Sequence, residues 1–537
     1  MKVIKRDGST VAFDRNKIVT AISKANKAVE EKERLGLEDI EEIASFVEHK
    51  NKKRLLVEDI QDMVEKQIMV RGHYELAKAY IIYRYNRALV RKANTTDDSI
   101  LSLISNKNKD VMEENSNKNA VMVSTQRDLI AGEVSRDLTR RVVLPEKISK
   151  AHDLGEIHFH DADYFIQPMF NCCLVNLGDM LDNGTVMHGK LIESPKSFQV
   201  ACTVMTQIIA SVASAQYGGQ SVDVSHLGKY LRRSREKFRK RLIETTHGQL
   251  PEEEMEAILD SRMKDELASG VQTIQYQINT LMTTNGQSPF VTLFLNLQEG
   301  DPYLEENAMI VEEVLRQRLE GIKNEKGVYI TPAFPKLVYV LDEHNCLKGG
   351  KYDYITELAV KCSAKRMYPD YISAKKMREN YEGNVFSPMG CRSFLSPWKD
   401  ENGNYKFEGR FNQGVVSLNL PQIGILARGD EEKFWQLLDQ RLQLCFEALM
   451  CRHNALKNVH SDSSPIHWQY GAIARLPKGA PIEPLLYGGY SSISLGYIGL
   501  YEVTKLMKGV SHTDPQGQDF ALRVMDRLRK ACDDWKK

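Results

Sequence analysis

Four sets of residues in this 537-residue chain are of types and spacings that could do chemistry. Cys172 and Cys173 sit inside Pro168-Met169-Phe170-Asn171-Cys172-Cys173-Leu174-Val175-Asn176-Leu177, a run that reads as a strand. Side chains alternate along a strand, so only one of the two thiols can face a shared interior, and alternation aims Cys172 to the side of Phe170 and Leu174. Cys391 follows Gly390 in Pro388-Met389-Gly390-Cys391-Arg392-Ser393-Phe394-Leu395. Glycine permits the backbone of a sharp loop, which is what carrying a thiol to a loop tip requires. Asn412 lies 21 residues further on, ahead of the strand-like Val415–Leu420, and brings an amide that donates and accepts hydrogen bonds. Read bare, this set fits either a thiol site or separate cysteines acting as small buried hydrophobes.

The other sets are charged. Lys5 and Arg6 flank Asp7-Gly8, and Lys17 lies one turn into the following helix. Cations beside a glycine turn and a helix start grip phosphates, and a solvated basic surface is the alternative. Glu193 and Lys196 read as an ordinary surface pair. His158 and His160 fall on one face of a strand-like run and read as buried structural histidines, with a place near substrate or at a dimer interface as the second reading.

Lys+Arg number 73 against 72 Asp+Glu, a balance that gives no reason to expect a nucleic-acid partner. Hydrophobic residues make up 42%, enough for a large core, and the length predicts two to four domains. No apolar run is long enough to span a bilayer, and MKVIKRDGST lacks the apolar stretch of a signal peptide. The expected setting is the cytoplasm. Nine scattered cysteines without a CxxC pair fit neither a disulfide framework nor a structural zinc site.

The elements that must position these residues follow from periodicity. Val3–Phe13 reads as two short strands around an Asp7-Gly8 turn, followed by a helix starting near Asp14 with Ile18, Ile22 and Ala25 on one face. A second amphipathic stretch runs from Val57, is interrupted at Arg71-Gly72, and gives way to a third through Leu76, Tyr80 and Tyr83. The polar 94–120 segment reads as a linker. Beyond it, strand-like runs at 289–296, 336–341, 414–421 and 493–498 alternate with helical stretches, the signature of an α/β architecture with parallel strands. The expected domains are 1–93, the linker 94–120, and 121–537.

The order V-x-K-R-D-G, Phe13, Lys17, Ile18 and a late Y-x-x-Y-R ending at Arg84 resembles the ATP-cone domain. That resemblance implies a site for ATP or dATP lined by Lys5, Arg6, Gly8 and Lys17, with Arg84 a further candidate. G-E-I-H-F-H-D at 155–161, P-M-F-N-C at 168–172, Y-G-G at 217–219, N-G-Q-S-P-F-V-T at 285–292, K-R-M-Y-P-D at 365–370, M-G-C-R-S-F-L at 389–395, G-V-V-S-L-N-L-P at 414–421 and S-I-S-L-G-Y-I-G at 492–499 together resemble anaerobic ribonucleotide reductase, a glycyl-radical enzyme family.

The second resemblance implies a ten-stranded α/β barrel with a finger loop inside it. Cys391 matches the finger-loop cysteine and Cys172 the barrel-strand cysteine, which leaves Cys173 as the outward neighbour. The implied reaction reduces ribonucleoside triphosphates to deoxyribonucleotides. A thiyl radical at Cys391 takes the 3′-hydrogen, Cys172 supplies hydrogen to the 2′ position, and Asn412 orients the ribose hydroxyls or the reductant. An amide where aerobic relatives carry a carboxylate fits formate as electron donor. Glu193, Lys196 and Gln207 match positions that contact an effector dNTP at a dimer interface. Gly286, Ser494 and Gly496 are candidates for the substrate triphosphate. A homodimer and a radical-SAM activating enzyme are the expected partners. The family's zinc-binding CxxC pairs and its R-V-C-G-Y-type radical loop are not found in this sequence, so the chain alone is expected to be inert. The alternatives are a non-catalytic nucleotide-binding remnant or one half of a split reductase. A formate-lyase type of glycyl-radical enzyme is disfavoured by the ATP cone and the lone, glycine-preceded Cys391.

Overall fold

Val3 pairs with Val11 across an antiparallel ladder and with Leu55 across a parallel one, so three short strands share one apolar row. They are β1 (Lys2–Ile4), β2 (Thr10–Ala12) and β3 (Arg54–Leu56). The computed structural model describes residues 2–4, 10–50, 54–108, 118–284, 286–390 and 393–536, and of residues 86–95 the backbone alone. The expected Asp7-Gly8 turn lies outside the described residues.

The chain divides into two units, Met1–Ser102 and Leu103–Lys537. In the first, α1 (Arg15–Asn26) starts where the sequence indicates, because the Asp14 side chain accepts the Asn16 N–H and caps it. Ile18, Ile22 and Ala25 face inward. α2 (Leu37–Glu48) and α3 (Val57–Val70) add Ile43, Val47, Val64 and Ile68 to the same core. Each such fully buried aliphatic side chain contributes about 1.5–3 kcal/mol. Gly72, at φ +82°, ends α3 and lets the chain turn into α4 (Tyr74–Ile104). The polar segment expected as a linker from residue 94 is therefore helical through Ile104: its Asn, Thr, Asp and Ser residues are poor helix formers, but they continue a helix already nucleated upstream.

The second unit is built on an eight-stranded sheet. Its strands are β4 (Ile157–Phe159), β5 (Cys172–Leu174), β6 (Gln220–Asp223), β7 (Val291–Leu295), β8 (Lys336–Leu341), β9 (Asp370–Ser373), β10 (Arg410–Asn419) and β11 (Ser492–Ile498). The order is β9-β8-β7-β6-β5-β10-β11, with β4 also paired to β10. Two parallel runs, β9 to β5 and β10 to β11, meet antiparallel at β5 and β10. Eight strands are described where the family resemblance implies ten.

Val291-Thr292-Leu293-Phe294-Leu295 is buried throughout, as a parallel strand covered on both faces must be. α5 (Phe198–Ala213) carries no charged residue and packs Phe198, Met205, Ile209 and Val212 into the main core. α6 (Glu252–Thr280) lies against it so closely that a Cβ on Gly270 would fall 2.4 Å from the Phe198 ring.

β10 does the most to position the site. Its register with β11 shifts between Asn412 and Val415, at Gly414. This bulge bends the strand, so that its first residues pair with β5 and its later ones with β4. Among the described residues no helix is long and apolar enough to cross a membrane.

Candidate active site

Cys172 and Cys173 face opposite ways, as strand alternation requires. Cys173 is fully buried in the core shared with α5, and its thiol donates to Gln216 Oε1 at 3.1 Å. Burial pushes that thiol well above its ordinary pKa. Cys172 is half-buried, donates to Asn171 Oδ1 at 3.2 Å, and lines a cavity of about 760 Å³. Leu174 shares its side of the sheet, as expected. Phe170 does not: it packs on Phe411, His467 and Trp468, on the Cys173 side. The strand begins only at Cys172, so alternation does not extend back to Phe170.

The loop before Cys391 comes against Cys172. Gly390 has φ +55°, and a Cβ there would lie 3.1 Å from Cys172 Sγ. Thr292 Oγ1 donates to the Gly390 carbonyl at 2.7 Å and Ser221 Oγ to the Pro388 carbonyl at 2.5 Å, so two neighbouring strands pin the loop. Cys391 itself lies outside the described residues.

Asn412 stands opposite Cys172 in the β5–β10 register and is 2% exposed. Its Nδ2 donates to Ser492 Oγ at 2.9 Å and Ser494 Oγ at 2.8 Å, while its Oδ1 accepts the Gly414 N–H at 3.0 Å. Ser494, a triphosphate candidate in the sequence, is thus engaged with Asn412. Gly496 packs on Ser417, where a Cβ would fall 2.3 Å from its hydroxyl, and Gly286 packs on the backbone of Thr125.

The histidines expected to be buried and structural line the Cys172 cavity instead. His158 is exposed and His160 half-buried, because β4 is short and turns that face to the opening. Their rings lie 4.4 Å apart, and His152 is 5.1 Å from His158. Burial, then the neighbouring His158 and Arg452, push His160 down to about 4. His152 is also lowered, chiefly by burial, and His158 by the partial desolvation of its ring in the cavity and by Arg452. The cavity therefore presents neutral imidazoles at neutral pH. His160 Nε2 is 2.7 Å from Ser417 Oγ.

Tyr164, Tyr217 and Asp161 complete the wall, and Arg452 packs behind it. Arg452, 3% exposed, lies over the Phe159 ring at 3.9 Å and donates to the Tyr217 hydroxyl at 3.2 Å. Tyr217 stacks on Tyr164 with ring centroids 5.6 Å apart. Asp161, at φ +51°, is raised to about 6 by burial against the opposing pull of Arg452. Tyr217 and Asp161 stand inside the motifs Y-G-G and G-E-I-H-F-H-D, but Arg452 is one arginine in a long helix and nothing local marks it. A half-buried thiol, neutral imidazoles and stacked phenols suit a polar, hydroxylated ligand held by directed hydrogen bonds.

In the first unit, Lys17 lines a cavity of about 610 Å³ with Lys24, Tyr80, Tyr83 and Arg84. Arg84 is engaged by Glu58, Asp62 and Glu65 at 2.6, 2.9 and 2.7 Å. Lys5, Arg6 and Gly8 lie outside the described residues. In the second unit, Lys196 lines a groove of about 530 Å³ with Arg233, Lys237, Lys240 and Glu236. Glu193 and Gln207 are exposed and do not line that groove.

Residues 114–537 match the family described as anaerobic ribonucleoside-triphosphate reductase. The chain belongs to that family. Residues 1–89 match the ATP cone domain. The anaerobic ribonucleoside-triphosphate reductase of Escherichia coli (strain K12) is 39% identical over 549 residues, covering 100% of this chain and 74% of that protein. Its counterpart from Haemophilus influenzae is 37% identical, covering 100% and 75%. That of Enterobacteria phage T4 is 40% identical, covering 82% and 71%. Among solved structures, the anaerobic ribonucleotide reductase of Thermotoga maritima in complex with dATP and CTP superposes with a TM-score of 0.54 at 16% identity, covering 83% of this chain and 74% of that one. The likeness shows that the two share a fold.

Proposed function

We propose that this family member reduces ribonucleoside triphosphates at the Cys172 cavity by thiyl-radical chemistry. The observation that carries this reading is the close approach of Gly390 to Cys172, where a Cβ on Gly390 would lie 3.1 Å from the sulfur, so that the residue preceding Cys391 stands beside the second thiol. Hydrogen-atom exchange needs such near-contact. A thiyl at Cys391 takes the 3′-hydrogen atom of the ribose. The C2′–O bond then breaks, and the hydroxyl leaves as water with one added proton. The Cys172 S–H bond breaks to give its hydrogen atom to C2′. Formate gives one hydrogen atom back to the Cys172 sulfur and one electron to the sugar, leaving as carbon dioxide, and the Cys391 thiol returns its hydrogen atom to C3′ and regains the thiyl. Asn412 orients the ribose hydroxyls or the formate, and its two serine partners hold its amide in one orientation.

ATP and dATP bind the first unit at the cavity lined by Lys17, and an effector dNTP binds the groove at Lys196. The Lys196 groove lies on helices that pair in a homodimer, and a radical-SAM enzyme activates the assembly. The test is anaerobic formation of dCTP from CTP with activating enzyme, S-adenosylmethionine and formate. It is run with and without the remaining quarter of the Escherichia coli relative supplied in trans. Cys391→Ser and Cys172→Ser should each abolish dCTP formation under conditions where the parent is active. Turnover in either variant would remove the assignment.

A further inference from the structure

The chemistry of Cys172 leaves a buried polar cluster behind it unexplained. Gln216 is 1% exposed, and all four hydrogen-bonding positions of its amide are used. Its Nε2 donates to the Gly218 carbonyl at 3.1 Å and the Gly219 carbonyl at 2.9 Å. Its Oε1 accepts from Cys173 Sγ at 3.1 Å and pairs with His467 Nε2 at 3.1 Å. His467 is wholly buried and pushed down to about 3 by that burial, so its ring is neutral. Its Nδ1 takes the Ser464 hydroxyl at 2.7 Å, which leaves Nε2 as the donor to Gln216.

The two glycines that Gln216 grips have no room for a side chain. A Cβ on Gly218 would lie 2.1 Å from Asn171 Oδ1, the acceptor of the Cys172 thiol. A Cβ on Gly219 would lie 2.3 Å from the Phe290 ring and 2.8 Å from the Gly390 Cα. Gly219 therefore forms the floor on which the Gly390 loop rests, and Gly390 lies so near Cys172 that a Cβ on it would fall 3.1 Å from the sulfur.

We propose that Gln216 is a positioning residue that sets the gap between Cys172 and the 388–390 loop, with Cys173 and His467 fixing its amide. The proposal rests on Cys172 being the reacting thiol of the cavity. It gives the outward cysteine a task, since the Cys173 S–H ties the strand carrying Cys172 to the glycine pair under the loop.

The test needs no turnover, so it fails independently of the reductase reading, which Cys172→Ser examines in the activity assay. In the full chain, the rate of Cys172 alkylation by iodoacetamide is measured by mass spectrometry. Cys451, half-buried on the 431–456 helix, serves as the internal reference. Losing the Cys173 bond alone in Cys173→Ala, or all four bonds of the amide in Gln216→Met, should shift the Cys172-to-Cys451 rate ratio roughly fivefold or more. Cys173→Ser keeps a donor and should stay within about twofold of the parent. If Gln216→Met does not fold, the Cys173→Ala and Cys173→Ser pair decides alone. An unchanged ratio in the variants that lose the bond overturns the proposal. So does equal acceleration of both thiols, which marks general loosening, and so does a Cys173→Ser shift as large as that of Cys173→Ala.

Discussion

Asn412 lies directly across the antiparallel ladder from Cys172. Cross-strand partners project to the same face, so the amide and the thiol share one side of the sheet although 240 residues separate them in sequence. The amide is held by Ser492, Ser494 and the Gly414 N–H in a buried setting. Asn412→Ala should therefore cost about 1–3 kcal/mol by leaving those groups without their partner. Asn412→Asp should retain the Gly414 contact and reverse the two serine contacts, with the hydroxyls donating to the carboxylate, so that it costs less than the alanine variant. Urea unfolding of the three proteins checks this, and an alanine variant as stable as the parent would show that the serines find other partners.

Gly219→Ala tests the seat of the loop. The added methyl meets the Phe290 ring at 2.3 Å and the Gly390 backbone at 2.8 Å, and only the ring can swing aside. Overpacking of this kind costs about 1–3 kcal/mol and should also displace the loop from Cys172. A crystal structure of the variant with Gly390 still as close to Cys172 as in the parent would contradict this.

The histidines of the second unit should titrate far apart. His160 is pushed down to about 4, whereas His226 is raised to about 9. Burial lowers His226, but the Glu408 carboxylate at 2.8 Å outweighs it. The signs for stability are opposite. His160 favours the fold above its unfolded pKa near 6.5, and that contribution is lost as pH falls toward 4. His226 favours the fold below 6.5 and loses that contribution as pH rises through 9. Selective ¹³C-histidine spectra should show both midpoints, and Glu408→Gln should bring that of His226 down. A His226 midpoint unmoved by that substitution would mean that Glu408 is not its cause.

Arg452→Met removes the cation behind the histidines. His158 and His160 should both titrate at higher pH, because Arg452 contributes to lowering each. Burial remains the larger cause, so the rise should be partial. An unmoved pair in the same spectra would leave burial and, for His160, the neighbouring imidazoles as the explanation.

The basic groove predicts effector binding. Lys196→Ala combined with Arg233→Ala should weaken dNTP binding to the full chain about tenfold or more, since charge-assisted contacts to phosphate are the strong ones. Calorimetry at two salt concentrations checks it, with the parent affinity falling at higher salt. Undiminished dNTP binding by the double variant would move the effector site elsewhere.

Lys17→Ala makes the corresponding test of the first unit, where ATP affinity should fall by roughly tenfold if the ammonium meets phosphate. Binding at parental strength would return Lys17 to the solvated surface.

Local order along the chain determined much of this protein. The capped helix at Asp14, the strands at 336–341 and 493–498 and the opposed faces of Cys172 and Cys173 follow from periodicity and capping, which act within a few residues. Tertiary structure alone decided the rest. Phe170 lies on the side of Cys173 because the strand starts later than its apolar pattern suggests. His158 and His160 face a cavity because β4 is only three residues long and the wall opposite comes from distant segments. Arg452 reaches Tyr217 from 235 residues away, and Gln216 joins Cys173 to His467. Each of these depends on where the sheet brings remote segments together, and no residue's own neighbours in sequence carry that information.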